Sequence, residues 1–285
     1  MDQQTFSALL YERQGDLALV TLDRPERGNV FDDALFRDLE EAFLLAEQDI
    51  DAKVILLRAR GADFCVGDDL AGRDASDVAP ADPSYAASLW ERSERERHRL
   101  RRLEGLLNFP RPVVAQVQGR CFGMGLHVTT CCDVVIAAQG ALFGDPGIYA
   151  GLVPSNPLVP LLVGAKKARE LLLAGRPFTA AEADQWGLVT AVAPADQLEE
   201  TAMRYAQAIC LAPADALAWM KEAFTSALEA RGGGAGWRHG VTSSLLADEA
   251  SPLSQPGEFD FWAVRRERGA QEAMRQLLAR AEALR

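Results

Sequence analysis

The chain lacks any excess of positive charge: 30 Lys and Arg stand against 41 Asp and Glu in 285 residues, a formal net charge of −11. That argues against nucleic acids and anionic membranes as partners, because both bind through a cationic face that displaces counterions. No uninterrupted apolar stretch approaches the ~20 residues of a membrane span. The segment 1–10 shows neither a basic nor an apolar export region, so a cytoplasmic protein is expected. Cysteine is scarce and odd in number: Cys65, Cys121, Cys131, Cys132 and Cys210 cannot all pair, which suits reduced thiols. Cys121, His127, Cys131 and Cys132 have no second C-x-x-C pair beside them, so no metal is expected. What is present is ordinary globular material, 48% apolar and 25% charged. A chain of this size buries roughly three quarters of its unfolded surface, enough for one large domain or one with a helical appendage.

The amino-terminal part alternates strand and helix. Phe6–Arg13 and Leu17–Asp23 flank Gln14-Gly15-Asp16, whose Gly and Asp supply turn chemistry, and they read as a hairpin. Asp32 and Asp33 can cap a helix with Leu35, Leu39, Ala42, Phe43 and Ala46 on one face. Lys53–Arg58 is a short apolar run with polar ends, a strand placed in mid-sheet. The stretch 68–84, rich in Asp, Ala, Gly and Pro, has little to anchor in a core and is expected to be a mobile loop. Trp90–Leu107 predicts a charged helix, and Pro112–Gln118 and Asp133–Ala138 two strands around a glycine-rich segment. Ala165–Ala174 is helical, Thr179 and Glu182 have the spacing of a capping box, and Leu188–Ala193 is a last strand. Beyond Ala195 only helical patterns follow, at 198–211, 213–230, 237–250 and 259–284. They are separated by glycines 232–234 and the 252–257 stretch. The predicted class is α/β, with residues 1–195 as the core and 196–285 as a helical carboxyl-terminal region.

Two segments carry more glycine than a simple turn needs: Asp63-Phe-Cys-Val-Gly-Asp-Asp-Leu70 and Gly119-Arg-Cys-Phe-Gly-Met-Gly-Leu-His127. Each sets a strand end beside a glycine turn, where free backbone amides can point at a developing negative charge. Taken in order with Val20-Thr-Leu-Asp-Arg-Pro25-Glu-Arg-Gly-Asn29, Pro110-Arg-Pro-Val-Val-Ala115, Cys132-Asp133, Gly151-Leu-Val-Pro154 and Ala183-Asp-Gln-Trp-Gly-Leu-Val189, they make the chain resemble the crotonase, or enoyl-CoA hydratase/isomerase, family over nearly its whole length.

The resemblance implies a crotonase-like spiral of ββα repeats, with 196–285 packing in a homotrimer or dimer of trimers. It also implies an acyl-CoA thioester ligand, with CoA as part of the substrate and no separate cofactor. By motif position the backbone amides of Val66 and Met124 form the oxyanion hole that holds an enolate. Gly67, Asp68, Gly123 and Gly147 line the substrate, and Arg24 and Arg27 meet the CoA nucleotide. The two glutamates that hydratases of this family use fall at His127 and Gly147, so simple crotonyl hydration is not expected. His127 and Asp145 remain as the catalytic pair, a base near neutrality and a carboxylate to orient it. Two alternatives stay open: a CoA-independent hydrolase that cleaves β-diketones by a retro-Claisen step with these two residues, and a non-catalytic family member.

Overall fold

A computed structural model describes residues 3–70, 88–154, 156–250 and 258–282. In chain order the elements are β1 (Gln3–Thr5), β2 (Leu9–Gln14), β3 (Leu17–Leu22), α1 (Asp33–Gln48), β4 (Val54–Ala59), α2 (Leu89–Leu107), β5 (Val113–Val117) and β6 (Arg120–Phe122). They continue with α3 (Met124–Cys131), β7 (Val134–Ala138), β8 (Leu142–Gly144), α4 (Leu158–Val163), α5 (Ala165–Ala174), β9 (Phe178–Thr179), α6 (Ala180–Gln185) and β10 (Ala191–Ala193). Helices α7 (Leu198–Cys210), α8 (Ala214–Ala230), α9 (Gly233–Ala250), α10 (Phe261–Arg268) and α11 (Ala270–Ala281) complete the chain. Most of the expected loop 68–84, the stretch 252–257 and the end of the last predicted helix lie outside the described residues.

Seven strands form one sheet in the order β1-β2-β3-β4-β5-β7-β10, and β6-β8-β9 form a second. The hairpin β2–β3 is antiparallel, with Leu9 opposite Leu22 and Gln14 opposite Leu17. From β3 onward every pair in the large sheet is parallel. Parallel strands are covered on both faces and so read as continuous apolar runs. In β4, fourth of the seven, Val54, Ile55, Leu56 and Leu57 are all fully buried. Each such side chain contributes roughly 1.5–3 kcal/mol of burial, which is why this run sits in mid-sheet. Asp32 caps α1 by accepting the Leu35 amide at 2.8 Å. The capping box is also present, since Thr179 N donates to Glu182 Oε2 at 2.8 Å and Glu182 N to Thr179 Oγ1 at 3.2 Å.

The chain divides into two compact units. The first holds the described residues of 1–68, 102–143 and 178–231, and the second those of 69–101, 144–177 and 232–285. The boundary expected at 195 therefore moves. Helix α7 packs on β3, β4, β5 and β7 of the large sheet, burying the stripe Leu198, Ala202, Ala206 and Cys210. Helices α9, α10 and α11 belong instead to the second unit. A 3.6-residue period announces an amphipathic helix but not which surface it will cover. The single helix expected over 259–284 is two helices, broken at Gly269, whose φ of +88° only glycine adopts without strain.

Candidate functional site

The two glycine segments, distant in sequence, lie side by side in the first unit. Cys65 and Cys121 form a parallel β-bridge. Cys65 N donates to Arg120 O at 3.1 Å, and Phe122 N to Cys65 O at 2.9 Å. Asp63 anchors the start of this contact, accepting from the Arg120 amide at 2.8 Å and from its guanidinium at 2.7 Å. Burial alone would raise the Asp63 carboxyl, but the Arg120 side chain and amide together hold it below its ordinary value. The glycines are needed because the segments approach so closely. A Cβ on Gly125 would lie 2.8 Å from Cys65 Cβ and 2.9 Å from its carbonyl oxygen, inside van der Waals contact. Gly123, with φ +48°, would place its Cβ 3.5 Å from Gly67 Cα and 3.6 Å from the Asp68 carboxylate. Gly67 has φ +117°.

Met124 is the first residue of α3, so its amide is among those at a helix start with no carbonyl to bond within the helix. Gly123, which precedes it, lies beside the Gly67–Asp68 turn. The Val66 amide does not have that freedom: it donates to Gly28 O at 3.0 Å. The expectation that Val66 supplies the second donor is corrected on this point, because its one N–H is spent joining the 63–70 segment to the end of the first hairpin. The Gly67 amide meets Cys65 Sγ at 3.3 Å. Cys65, fully buried, is a thiol and not a thiolate at neutral pH, since burial pushes its pKa up to about 12 against the amides that would lower it.

His127 is the fourth residue of α3 and 6% exposed. Its amide donates to Gly123 O at 3.0 Å and its carbonyl accepts the Thr130 hydroxyl at 2.7 Å. Three residues after Met124, its side chain leaves the helix on the same face. Asp145 belongs to the second unit, where it caps the 3-10 turn Pro146–Ala150 and accepts the Gly147 amide at 3.2 Å. A Cβ on Gly147 would come 3.1 Å from Asp145 Oδ1 and 3.4 Å from Leu152 Cβ. Where the resemblance puts a glutamate, a side chain would have to shift Asp145 Oδ1 by a few tenths of an ångström.

The two arginines differ from one another. Arg24, only 12% exposed in its side chain, donates to both carboxylate oxygens of Asp32 at 2.6 and 2.9 Å and to Val30 O at 2.7 Å. It is an internal strut, and the expectation that it grips a nucleotide is corrected: both terminal guanidinium nitrogens are engaged within the chain. Arg27 is 44% exposed and 3.6 Å from Asp32. Asn29, at the end of the segment Val20–Asn29, is a further structural residue of this region. It is buried at φ +52°, and its side chain accepts the Arg24 amide at 2.9 Å and donates to Arg60 O and Asp63 O at 3.0 Å. An Asn beside a glycine after a strand end was the available signal, since Asn tolerates left-handed backbone.

Among the described residues no three His, Cys, Asp or Glu side chains are grouped to hold a metal ion, and no helix is long and apolar enough to cross a membrane. The model of the family described as enoyl-CoA hydratase/isomerase matches residues 12–236. The chain belongs to this family. It is therefore a crotonase-fold α/β protein and an enzyme of the hydratase/isomerase kind. It is 31% identical over 228 residues to a probable enoyl-CoA hydratase of Rhizobium meliloti (strain 1021), covering 79% of this chain and 84% of that one. To the 1,2-epoxyphenylacetyl-CoA isomerase of Escherichia coli (strain K12) it is 32% identical over 211 residues, covering 73% and 78%. Among solved structures it matches an enoyl-CoA hydratase/isomerase from Xanthobacter autotrophicus Py2 with a TM-score of 0.86 at 28% identity, covering 97% of this chain and 99% of that one.

Proposed function

We propose that this family member acts on an acyl-CoA thioester by proton transfer at the α-carbon, through an enolate held by backbone amides, and not by addition of water across an enoyl double bond. The observation that carries the reading is the apposition of Gly67–Asp68 with Gly123–Met124. Two loop ends rigidly joined by backbone hydrogen bonds can aim donors where charge develops, at no reorganisation cost during the reaction. The Met124 amide is one donor, and the other falls to the Gly67–Asp68 turn, the part of that segment nearest Gly123. His127, one helical turn beyond Met124, is the base, and Asp145 is the second catalytic residue. The acyl-CoA class is supported by relatives whose names specify CoA esters. Arg27 is the remaining arginine for the nucleotide phosphates, with Gly147 in the pocket wall.

The assembly belongs to the proposal as well. Trp219, Met220 and Phe224 on α8 are 71%, 56% and 61% exposed, an apolar surface of the kind that self-association covers. This supports self-association, for which the family resemblance suggests a homotrimer or dimer of trimers, and light scattering on the purified protein checks it.

One observation favours the second reading, β-diketone cleavage without CoA: Arg24 is engaged with Asp32. Calorimetric titration with acetyl-CoA, run beside Arg27→Ala and His127→Ala, separates the two. Micromolar binding weakened by Arg27→Ala, with deuterium exchange at the acyl α-carbon lost in His127→Ala, supports the acyl-CoA reading. No CoA binding, together with retro-Claisen turnover that depends on His127 and Asp145, replaces it with the hydrolase. Neither activity leaves the non-catalytic reading.

A further inference from the structure

The turn that carries Asp145 is short, and its position comes from elsewhere in the chain. A single 3-10 turn has poor hydrogen-bond geometry and little stability of its own. On one side Tyr149 Oη donates to Ala174 O at the end of α5, at 2.6 Å. Gly175, at φ +56°, lets the turn close in: a Cβ there would strike Ile148 Cγ2 at 2.6 Å and Tyr149 Cε2 at 3.0 Å. On the other side the Trp262 indole Nε1 donates to Ala150 O at 2.9 Å, across 112 residues of sequence. Ala150 ends the turn, so its carbonyl is one of the acceptors a helix end leaves unsatisfied. Both residues are buried, Trp262 to 5% and Ala150 to 2% exposure, and a polar pair so enclosed has no water to replace it.

The donor is itself held in place. Asp260 caps α10 by accepting the Ala263 amide at 2.8 Å, which fixes the first turn of the helix where Trp262 stands. The Trp262 ring meets Phe261 edge-on, 5.0 Å between centroids at 87°. Phe261 and Trp262 share one apolar cluster with Leu70, Ala150, Ala273 and Leu277. Arg280 of α11 lies over the Phe259 ring at 3.6 Å and secures the approach to α10.

We infer that Trp262 is a positioning residue for the reaction: its indole N–H fixes the end of the turn whose start is Asp145, and so sets where that carboxylate stands. The inference rests on the reading of Asp145 above. Its consequence is that the last two helices do more than pack or assemble, because they reach the chemistry through one hydrogen bond.

The test is Trp262→Phe, which removes the N–H and keeps an aromatic ring, compared with Asp145→Asn and the double variant. Misplacing a catalytic group by a fraction of an ångström costs on the order of tenfold or more in rate. Trp262→Phe is expected to lower kcat about tenfold with KM within about threefold, and to shift the pH profile of kcat. In the Asp145→Asn background it should lower kcat less than twofold, since residues acting as one unit are not additive. Amide exchange over 147–152 should speed up while the large sheet is unchanged, and Tyr149→Phe should do the same from the other side. Fully additive losses, or unchanged exchange over 147–152 in both variants, overturn the inference. If Asp145→Asn leaves turnover unchanged, the reading of Asp145 has failed; the exchange measurement still decides whether Trp262 holds the turn.

Discussion

The two turns that bring candidate groups to this enzyme are held in contrasting ways. The Gly67–Asp68 turn and the start of α3 are locked by backbone: a β-bridge, main-chain hydrogen bonds on both sides of Cys65, left-handed glycines at 67 and 123, and Gly125 packed too closely on Cys65 for a side chain. The Asp145 turn is held by side chains from distant helices, Tyr149 reaching Ala174 and Trp262 reaching Ala150. A backbone-locked turn tolerates almost no change at the locked positions and depends little on side-chain identity elsewhere. A tethered turn is instead sensitive to the side chains that hold it, here Tyr149 and Trp262. The proposed base, His127, stands in the first region, and Gly147, proposed for the pocket wall, in the second.

Substitution at Gly125 should have the largest effect. Gly125→Val forces a branched side chain against Cys65 and is expected to cost about 3 kcal/mol, at the upper end of overpacking, measured by urea denaturation. Retention of full stability would mean the Cys65 contact is soft. A smaller effect follows from the buried thiol. The Cys65 pKa rises from 9.0 to about 12 on folding, so the unfolded chain ionises first as pH rises. The stability tied to Cys65 is fully present below about pH 9 and declines between there and about pH 12. Thermal melts from pH 8 to 11 should show a falling midpoint that Cys65→Ala makes shallower; an equal slope in both proteins would assign the loss to other groups.

The tethered turn predicts subtler behaviour. Asp260→Ala removes the α10 cap and should cost about 1 kcal/mol, yet it should also slow turnover, because Trp262 stands in the uncapped first turn. A stability loss with kcat intact would separate the cap from the site. Smallest is Gly147→Ala, whose Cβ meets Asp145 Oδ1 and Leu152. It should cost well under 1 kcal/mol on the usual scale for tolerated surface-proximal changes and raise KM modestly. Gly147→Glu brings a longer side chain against Asp145 and Leu152 than alanine does, so combined with His127→Glu it should not produce hydration of crotonyl-CoA, as followed by loss of enoyl absorbance. Appearance of that activity would mean the turn yields to accommodate the new carboxylate.

Much of the fold could be read directly. The hairpin, α1 with its Asp32 cap, the buried strand β4, α5 and the Thr179–Glu182 box all depend on neighbours within a few residues, where period and capping chemistry act. The family was legible for a related reason: its glycines mark close approaches, as at Gly125, and left-handed turns, as at Gly67 and Gly123. Val66 was misread because a motif position does not say which of three successive amides is already bonded. Arg24 was misread because an exposed-looking cation after a strand gave no sign of the carboxylate, eight residues on, that claims it.

By itself, then, the sequence determined the class of fold, the family and the two glycine segments, since local propensity and steric exclusion are written residue by residue. Only the tertiary structure decided that the carboxyl-terminal helices divide between two units, that Val66 is spent on Gly28, and that the indole of Trp262 ends the turn begun by Asp145. Those outcomes depend on which surfaces meet across tens of residues, as for Val66 and Gly28, or more than a hundred, as for Trp262 and Ala150. A contact of that range is selected by the packing of the whole molecule, and neither partner carries a local mark of the other.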